Sequence, residues 1–241
     1  TVTVTATPAA PTNAIASPTT ICLGNSSTLS AICATGTPNW FSDLALATML
    51  TSTTVSPTTT TTYYAACVSS TCKSPATNVT INVTATPAAP TTASANPNPI
   101  CSGSSTTLNA SCAIGTLTWY SDAALSTVLT STTVSPTTTT TYYAGCVNGT
   151  CKSPATSVTV TVTATPAAPT SANANPNPIC SGNSTTLSAT CATGTLTWYS
   201  NAALTTTLTS STVSPTTTMT YYAACVNGTC KSPATNVTVN V

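Results

Sequence analysis

Cys22, Cys101 and Cys180 stand 79 residues apart, and so do Trp40, Trp119 and Trp198, Lys73, Lys152 and Lys231, and Pro57, Pro136 and Pro215. No insertion or deletion breaks this register, and units 84–162 and 163–241 differ at only 14 of 79 positions. A repeat this regular constrains the chain more than any other feature, because three copies of one sequence must find one fold. The period exceeds the ~20–50 residues of a solenoid turn or propeller blade. It suits a small domain that closes its own core, and at that size burial alone is marginal, so covalent staples are expected. The first four residues, Thr1-Val2-Thr3-Val4, match Thr159-Val160-Thr161-Val162. The expected organisation is therefore a tail strand of a preceding repeat (1–4) followed by repeats at 5–83, 84–162 and 163–241. With no initiator Met and no signal peptide, the sequence is expected to be a window on a longer tandem array.

The middle copy is read as short strands. Thr84-Ala-Thr-Pro-Ala-Ala-Pro90 holds two prolines and no large apolar residue, which predicts an extended, semi-rigid connector. Gly103 turns the chain into Thr106–Cys112, where Leu108, Ala110 and Cys112 share one face by the two-residue period of a strand. Gly115 opens Thr116–Tyr120, with Leu117 and Trp119 on one face. A short strand closes at Val134-Ser-Pro136, and a Thr run leads into Thr141–Val147. Asn148-Gly149 is a strong hairpin signal, and Ser157–Val162 alternates cleanly to the end. Short strands, regular turns and no helical period predict an all-β chain, a tandem array of antiparallel β-sandwiches.

These residues carry a resemblance. Gly103-x-x-x-Thr-Leu-x-Ala110, Trp119-Tyr120 and Thr141-Tyr-Tyr-Ala144 resemble the second, third and sixth strands of an immunoglobulin-like domain, with Ala110 and Ala144 where the usual cysteines stand. Cys112 and Cys146 lie two residues beyond, so the pair looks transposed rather than lost. More narrowly, the unit is similar to Ig-like repeats of very large secreted surface proteins of Bacteroidota, including gliding-motility adhesins. The residues that carry this are Ile100-Cys101-Ser-Gly103, Thr107-Leu108, Trp119-Tyr120, Ser135-Pro-Thr-Thr-Thr-Thr-Thr-Tyr142, Asn148-Gly-Thr-Cys151 and the closing Val-Thr-Val. The resemblance covers all three units, and such repeats are general building material.

Four cysteines per unit in a nearly uncharged, Thr-rich chain read as disulfides in an oxidising compartment. The Ig-like sandwich implies core disulfides Cys33–Cys67, Cys112–Cys146 and Cys191–Cys225, each closing a loop of about 35 residues worth ~3–4 kcal/mol by chain entropy. The outer cysteines, Cys22, Cys72, Cys101, Cys151, Cys180 and Cys230, leave two readings open. Within one repeat, Cys22–Cys72, Cys101–Cys151 and Cys180–Cys230 would pair, as simpler relatives of the family suggest. Strands two and six of an Ig topology run the same way, however, which sets Cys101 and Cys151 roughly 25 Å apart, whereas a bond needs Cα atoms within ~7 Å. The other reading joins neighbouring repeats through Cys22–Cys151 and Cys101–Cys230, leaving Cys72 and Cys180 for repeats before and after.

Composition excludes most other functions. The chain has three Lys, no Arg, two Asp, no Glu and no His, so it lacks an acid/base pair, a nucleophilic triad or a carboxylate cage, and no enzyme activity, metal site or cofactor is expected. Cysteine spacing gives no zinc knuckle. A net charge of +1 is no footprint for nucleic acid, and no apolar run approaches a membrane span. Asn-x-Ser/Thr occurs eight times, but 64 threonines produce such matches by chance; O-linked sugar on runs such as Thr137–Thr141 is the second modification considered. The lysines read as solvated loop residues and the tryptophans as core. Asp43 and Asp122 become Asn201 in the third copy, so no repeated carboxylate function is visible. The expected function is a structural segment of an extracellular cell-surface filament, stalk or adhesin, a rigid spacer or filament shaft whose partners are neighbouring repeats and other copies in a filament. A glycan- or surface-binding adhesive module is the alternative, and ice binding through faces such as Thr159-Val-Thr161 a lesser one. The copies match chiefly at core, turn and connector positions, which favours the stalk.

Overall fold

A computed structural model describes residues 5–241; the tail strand expected over residues 1–4 lies outside the described residues. The chain is all-β, and it divides into two compact units: Thr1–Thr91 with Ala110–Trp119 and Ala144–Thr156, and Thr92–Asn109 with Tyr120–Tyr143 and Ser157–Val241.

In the first unit, repeat 1 forms strands β1 (Thr12–Ser17), β2 (Thr20–Cys22), β3 (Ser27–Ile32), β4 (Thr37–Phe41), β5 (Thr54–Val55), β6 (Thr61–Ser69), β7 (Cys72–Lys73) and β8 (Thr77–Thr84). One sheet has the order β1-β3-β5 and the other β2-β8-β6-β4, with β7 also on β6. Alternation along β3 buries Ser27 and Leu29 and exposes Thr28 and Ser30, so one face of each strand feeds the core. That core gathers Ala16, Ile21, Leu29, Trp40, Tyr63, Ala65 and Ile81. Trp40 stands in register with Ala65, whose small side chain leaves room for the indole.

Two features of this repeat depart from the strand reading. The first strand, β1, was not expected, because Thr-Asn-Ala-Ile-Ala-Ser and its counterparts carry small or polar residues and give almost no hydrophobic alternation. It forms through its antiparallel pairing to β3, with an irregular register between Thr12 and Ile15. The second departure is a parallel pair in an otherwise antiparallel sandwich: β2 runs beside β8, with Cys22 opposite Thr84. Pro18 separates β1 from β2, and its missing N–H suits the point where the chain leaves one sheet for the other. The buried Ser27 hydroxyl donates to the Pro18 carbonyl at 2.7 Å and fastens this crossing.

In the second unit, repeat 3 repeats the plan. Thr170–Asn175, Thr185–Thr190 and Thr212–Val213 form one sheet, and Thr195–Tyr199, Met219–Asn227, Cys230–Lys231 and Thr235–Val239 the other. Its core comprises Leu187, Trp198, Tyr221, Ala223, Val237 and Val239. Trp198 is again opposite Ala223, and Thr185 donates to Pro176 at 2.6 Å as Ser27 does to Pro18. The same unit holds a second parallel pair, Ile100–Cys101 beside Val162–Thr163. The last strand of repeat 1 runs to Thr84, so the first residue of the expected connector is still hydrogen-bonded sheet.

Candidate functional site: the cysteine junctions

The parallel pair places the outer cysteines. Because β2 ends at Cys22 opposite Thr84, the sulfur of Cys22 lies where the chain leaves repeat 1. Leu23 N–H donates to the Thr84 carbonyl at 2.9 Å, and the Thr86 hydroxyl to the Leu23 carbonyl at 3.5 Å. The hairpin Asn148–Cys151 sits against the same segment: Asn148 Nδ2 donates to the Ala85 carbonyl at 3.3 Å, and Cys151 Sγ lies 3.9 Å from the Thr84 oxygen. Cys22 and Cys151 are joined by a disulfide with Cα atoms 5.5 Å apart. The second unit repeats this junction. Cys101 stands opposite Thr163, Ser102 N–H donates to the Thr163 carbonyl at 3.0 Å, Cys230 Sγ lies 3.9 Å from the Thr163 oxygen, and Cys101 is bonded to Cys230.

These bonds connect consecutive repeats, so the within-repeat pairs Cys22–Cys72, Cys101–Cys151 and Cys180–Cys230 are not formed. The physical reason is the parallel strand, which carries Cys22 to the repeat's exit, whereas Cys72 follows the β6–β7 hairpin next to Thr5 (Sγ to oxygen 3.8 Å). Among the described residues, Cys72 and Cys180 are free thiols, the first partly buried and the second exposed.

The core cysteines are joined as Cys33–Cys67, Cys112–Cys146 and Cys191–Cys225, with Cα separations of 5.6, 5.7 and 5.7 Å. Cys67 is fully buried, and Cys33 continues the inward parity of β3 just past its end. A serine supports each pair, which the sequence reading missed. Between β7 and β8 the ladder on β6 is interrupted at Ser74-Pro75-Ala76. There the buried Ser74 hydroxyl accepts from Cys67 N–H at 2.9 Å and donates to the Pro75 carbonyl at 2.9 Å, while Ser74 N–H donates to the Cys67 carbonyl at 3.0 Å. Ser153 and Ser232 do the same for Cys146 and Cys225. Their signal was the recurring Cys-Lys-Ser-Pro, visible as a repeat but silent about the hydroxyl's direction.

A second apolar cluster covers the outer face of the β4–β6 sheet, where Phe41 and Ala66 pack under Leu46; Tyr199, Ala224 and Leu204 correspond in repeat 3. The repeated lysines are exposed, as expected, and Lys73 and Lys231 also lie against this cluster. Lys73 Nζ lies 4.8 Å from the Phe41 ring centroid and donates to the Leu46 carbonyl, and Lys231 sits 4.9 Å from the Tyr199 ring and donates to Leu204. A cation over a ring face is attracted by the ring quadrupole. The loop carrying Leu46 is held by Asp43, whose carboxylate accepts from Ala47 N–H at 2.9 Å and Thr48 N–H at 2.7 Å. Asp122 accepts from Ser126 and Thr127, and those backbone donors hold its pKa down at about 2. Asn201 fills the role through Oδ1, accepting from Thr205 and Thr206 N–H at 3.0 and 3.2 Å. A repeated function is thus present at this position, and it needs an acceptor oxygen rather than a charge.

The tryptophans lie in the core, as Trp40, Trp119 and Trp198 are each 5% exposed or less. Among the described residues no three His, Cys, Asp or Glu side chains come together as a metal site, and no helix is long and apolar enough to cross a membrane. An open groove of about 380 Å³ beside Trp198 is lined by Leu187, Leu196, Leu208 and Ser210 and carries no charged side chain.

No curated protein matches the chain in sequence. Solved structures give loose likenesses at low identity. The N-terminal eight Ig domains of Down Syndrome Cell Adhesion Molecule align at 13% identity over 92% of this chain with a TM-score of 0.37, the aligned part spanning 35% of that fragment. Chicken CNTN1 FN1–FN3 domains align at 10% identity over 98% of this chain and 99% of that one, TM-score 0.36. The Ig1–Ig3 ectodomain of mouse nectin-like molecule 4 aligns at 12% over 92% and 95%, TM-score 0.29. The family comes instead from a sequence model, which matches residues 8–84, 87–163 and 166–241, nearly the whole chain. The chain belongs to the family of the CHU_C-associated Ig-like domain, which it carries three times in tandem.

Proposed function

We propose that this chain is a tension-bearing segment of an extracellular filament, stalk or adhesin, of the kind built from Ig-like repeats in large secreted Bacteroidota surface proteins, and that it catalyses nothing. The observation that carries this reading is the overlap of its disulfides. Cys22–Cys151 and Cys101–Cys230 each span 129 residues of sequence, and the two spans share residues 101–151. Any single peptide bond between Cys22 and Cys230 is therefore bridged by at least one inter-repeat bond.

The core bonds complete a short covalent route. From Cys22 it passes to Cys151, back along the chain to Cys146, across to Cys112 and back to Cys101, where the next inter-repeat bond begins. One repeat of advance uses about 16 backbone residues and two disulfides, ~70 Å at full stretch, against ~280 Å for 79 unlinked residues. An oxidised array thus resists extension even where sandwiches unfold. The 2% charged composition leaves little for salt to screen, which suits a surface structure met by changing media.

Single-molecule stretching tests the reading. In the oxidised protein, full extension should release only about a quarter of the length per repeat that appears after reduction. Release of the same length with and without reductant overturns it.

A further inference from the structure

The strand that carries Cys101 to its partner is short. In repeat 1 three residues, Thr20–Cys22, run beside the exit strand, and in repeat 2 only Ile100–Cys101 do so. The two ladders also begin differently. In repeat 1 the Asn82 N–H donates to the main-chain carbonyl of Thr19 at 2.9 Å. Repeat 2 has Thr161 at the first of these positions and Asn98 at the second, with Pro99 in place of Thr20. There the Thr161 N–H donates to the side chain of Asn98, 2.9 Å from Oδ1. Asn98 Nδ2 in turn donates to the Thr159 carbonyl at 2.9 Å. One side-chain amide thus engages an N–H and a carbonyl of the exit strand, as a strand residue does through its peptide groups. The main chain then takes over: Ile100 N–H donates to the Thr161 carbonyl at 3.0 Å, and Ser102 N–H to that of Thr163 at 3.0 Å. Cys101 lies between those two donors.

This clamp does not depend on the disulfide. In repeat 3 the Asn177 amide accepts from Asn240 N–H at 2.9 Å and donates to the Thr238 carbonyl at 2.8 Å, and Ile179 N–H donates to the Asn240 carbonyl at 3.0 Å. The cysteine that follows, Cys180, is a free thiol, yet the clamp is complete. Nor does core packing account for it, because Asn98 is exposed.

We infer that Asn98 is a positioning residue for the inter-repeat bond: its amide holds Ile100–Cys101 in parallel register and so presents Cys101 to Cys230. The inference rests on the inter-repeat bonds of the proposed function and names what sets their register. A disulfide needs Cα atoms within ~7 Å, and those of Cys101 and Cys230 are 5.5 Å apart. A two-residue strand released at its start spends less time inside that limit.

The test equilibrates the 241-residue chain in glutathione buffers, where two protein thiols and one oxidised glutathione give one protein disulfide and two reduced glutathione. Peptide maps follow each bond. In Asn98→Ala the equilibrium constant for Cys101–Cys230 should fall roughly tenfold, the order expected for two lost hydrogen bonds. Cys112–Cys146 in the same repeat and Cys22–Cys151 at the other junction should keep their parent values. Asn98→Asp, which sets an oxygen against the Thr159 carbonyl, should weaken the same bond. The double variant Asn98→Thr, Pro99→Thr copies Thr19-Thr20 of repeat 1 and should restore it. An unchanged constant in Asn98→Ala overturns the inference, as does an equal loss at Cys112–Cys146 or a double variant that recovers nothing. Absence of Cys101–Cys230 from the parent chain defeats the inter-repeat bonds themselves. Its presence without sensitivity to Asn98 defeats only the positioning role.

Discussion

Cys151 Sγ lies 3.9 Å from the carbonyl oxygen of Thr84, the residue that stands opposite Cys22 across a parallel strand pair. That single arrangement brings the two sulfurs of consecutive repeats together, and it depends on a three-residue strand, β2. Proteolysis within Thr84–Pro90 should therefore leave the oxidised chain at full mass on a non-reducing gel and split it in two once a reductant is added. The same cut in a Cys151→Ser variant should separate the pieces without reductant. Pieces that part in the oxidised parent chain refute the junction.

The buried serines predict a stability loss at the core disulfides. Ser74→Ala removes the side-chain acceptor that Cys67 N–H has among the described residues, at a buried position. An unsatisfied buried donor costs about 1–3 kcal/mol, and Ser153→Ala and Ser232→Ala should cost the same in their repeats. Denaturant melts of the variants, with the disulfides intact, give the comparison. A melt unchanged within error shows that the hydroxyl is dispensable.

At the β6–β7 turn the repeats differ in a way that predicts a gain. Ser70 holds φ at 55°, where its counterparts are Gly149 at 61° and Gly228 at 60°. A side chain in this left-handed region is strained, while glycine adopts it freely. Ser70→Gly should stabilise repeat 1 by about 0.5–1 kcal/mol, and Gly149→Ala should destabilise by a similar amount despite open space around the added methyl. Opposite signs in thermal melts are the expected result.

Much of the sandwich was legible because its strands carry large residues in alternation. Trp40 reads as core and lies in the core, together with Leu29, the counterpart of Leu108 on the inward face of its strand. β1 was not legible, since a strand of small and polar residues is defined by its partner β3 and not by its own pattern. The two open readings of the outer cysteines had the same root: strand direction argued for bonds between repeats, but the short parallel strand that brings Cys22 to the exit left no periodic signal. Lys73 is exposed as the sequence suggests, and the Asp43 position needs no carboxylate, since Asn201 replaces it. What each of them touches was not legible for another reason. Sequence shows a charge in a loop, whereas the ring under Lys73 and the backbone donors around Asp43 come from the fold.

Those backbone donors give the last prediction. N–H groups of Ser126 and Thr127 bind the ionised Asp122 carboxylate and lower its pKa from 3.8 to about 2, and Ala47 and Thr48 lower that of Asp43 in the same direction. A folded-state pKa below the unfolded value means that the carboxylate stabilises the loop fully above about pH 4. That contribution fades as pH falls towards 2 and the native carboxyl takes up its proton. Asn201 holds the equivalent loop with an uncharged oxygen, so repeat 3 lacks this dependence. Carbon-detected NMR titration should place the Asp122 midpoint near 2. Amide shifts of Ser126 and Thr127 should move with it, while those of Thr205 and Thr206 stay flat over the same range. Asp122→Asn should abolish the transition at repeat 2 without unfolding the loop, since the third copy already carries that substitution. A midpoint at 3.8, or matching shifts in Thr205 and Thr206, would show that the carboxylate is solvated and that the loop is held by something else.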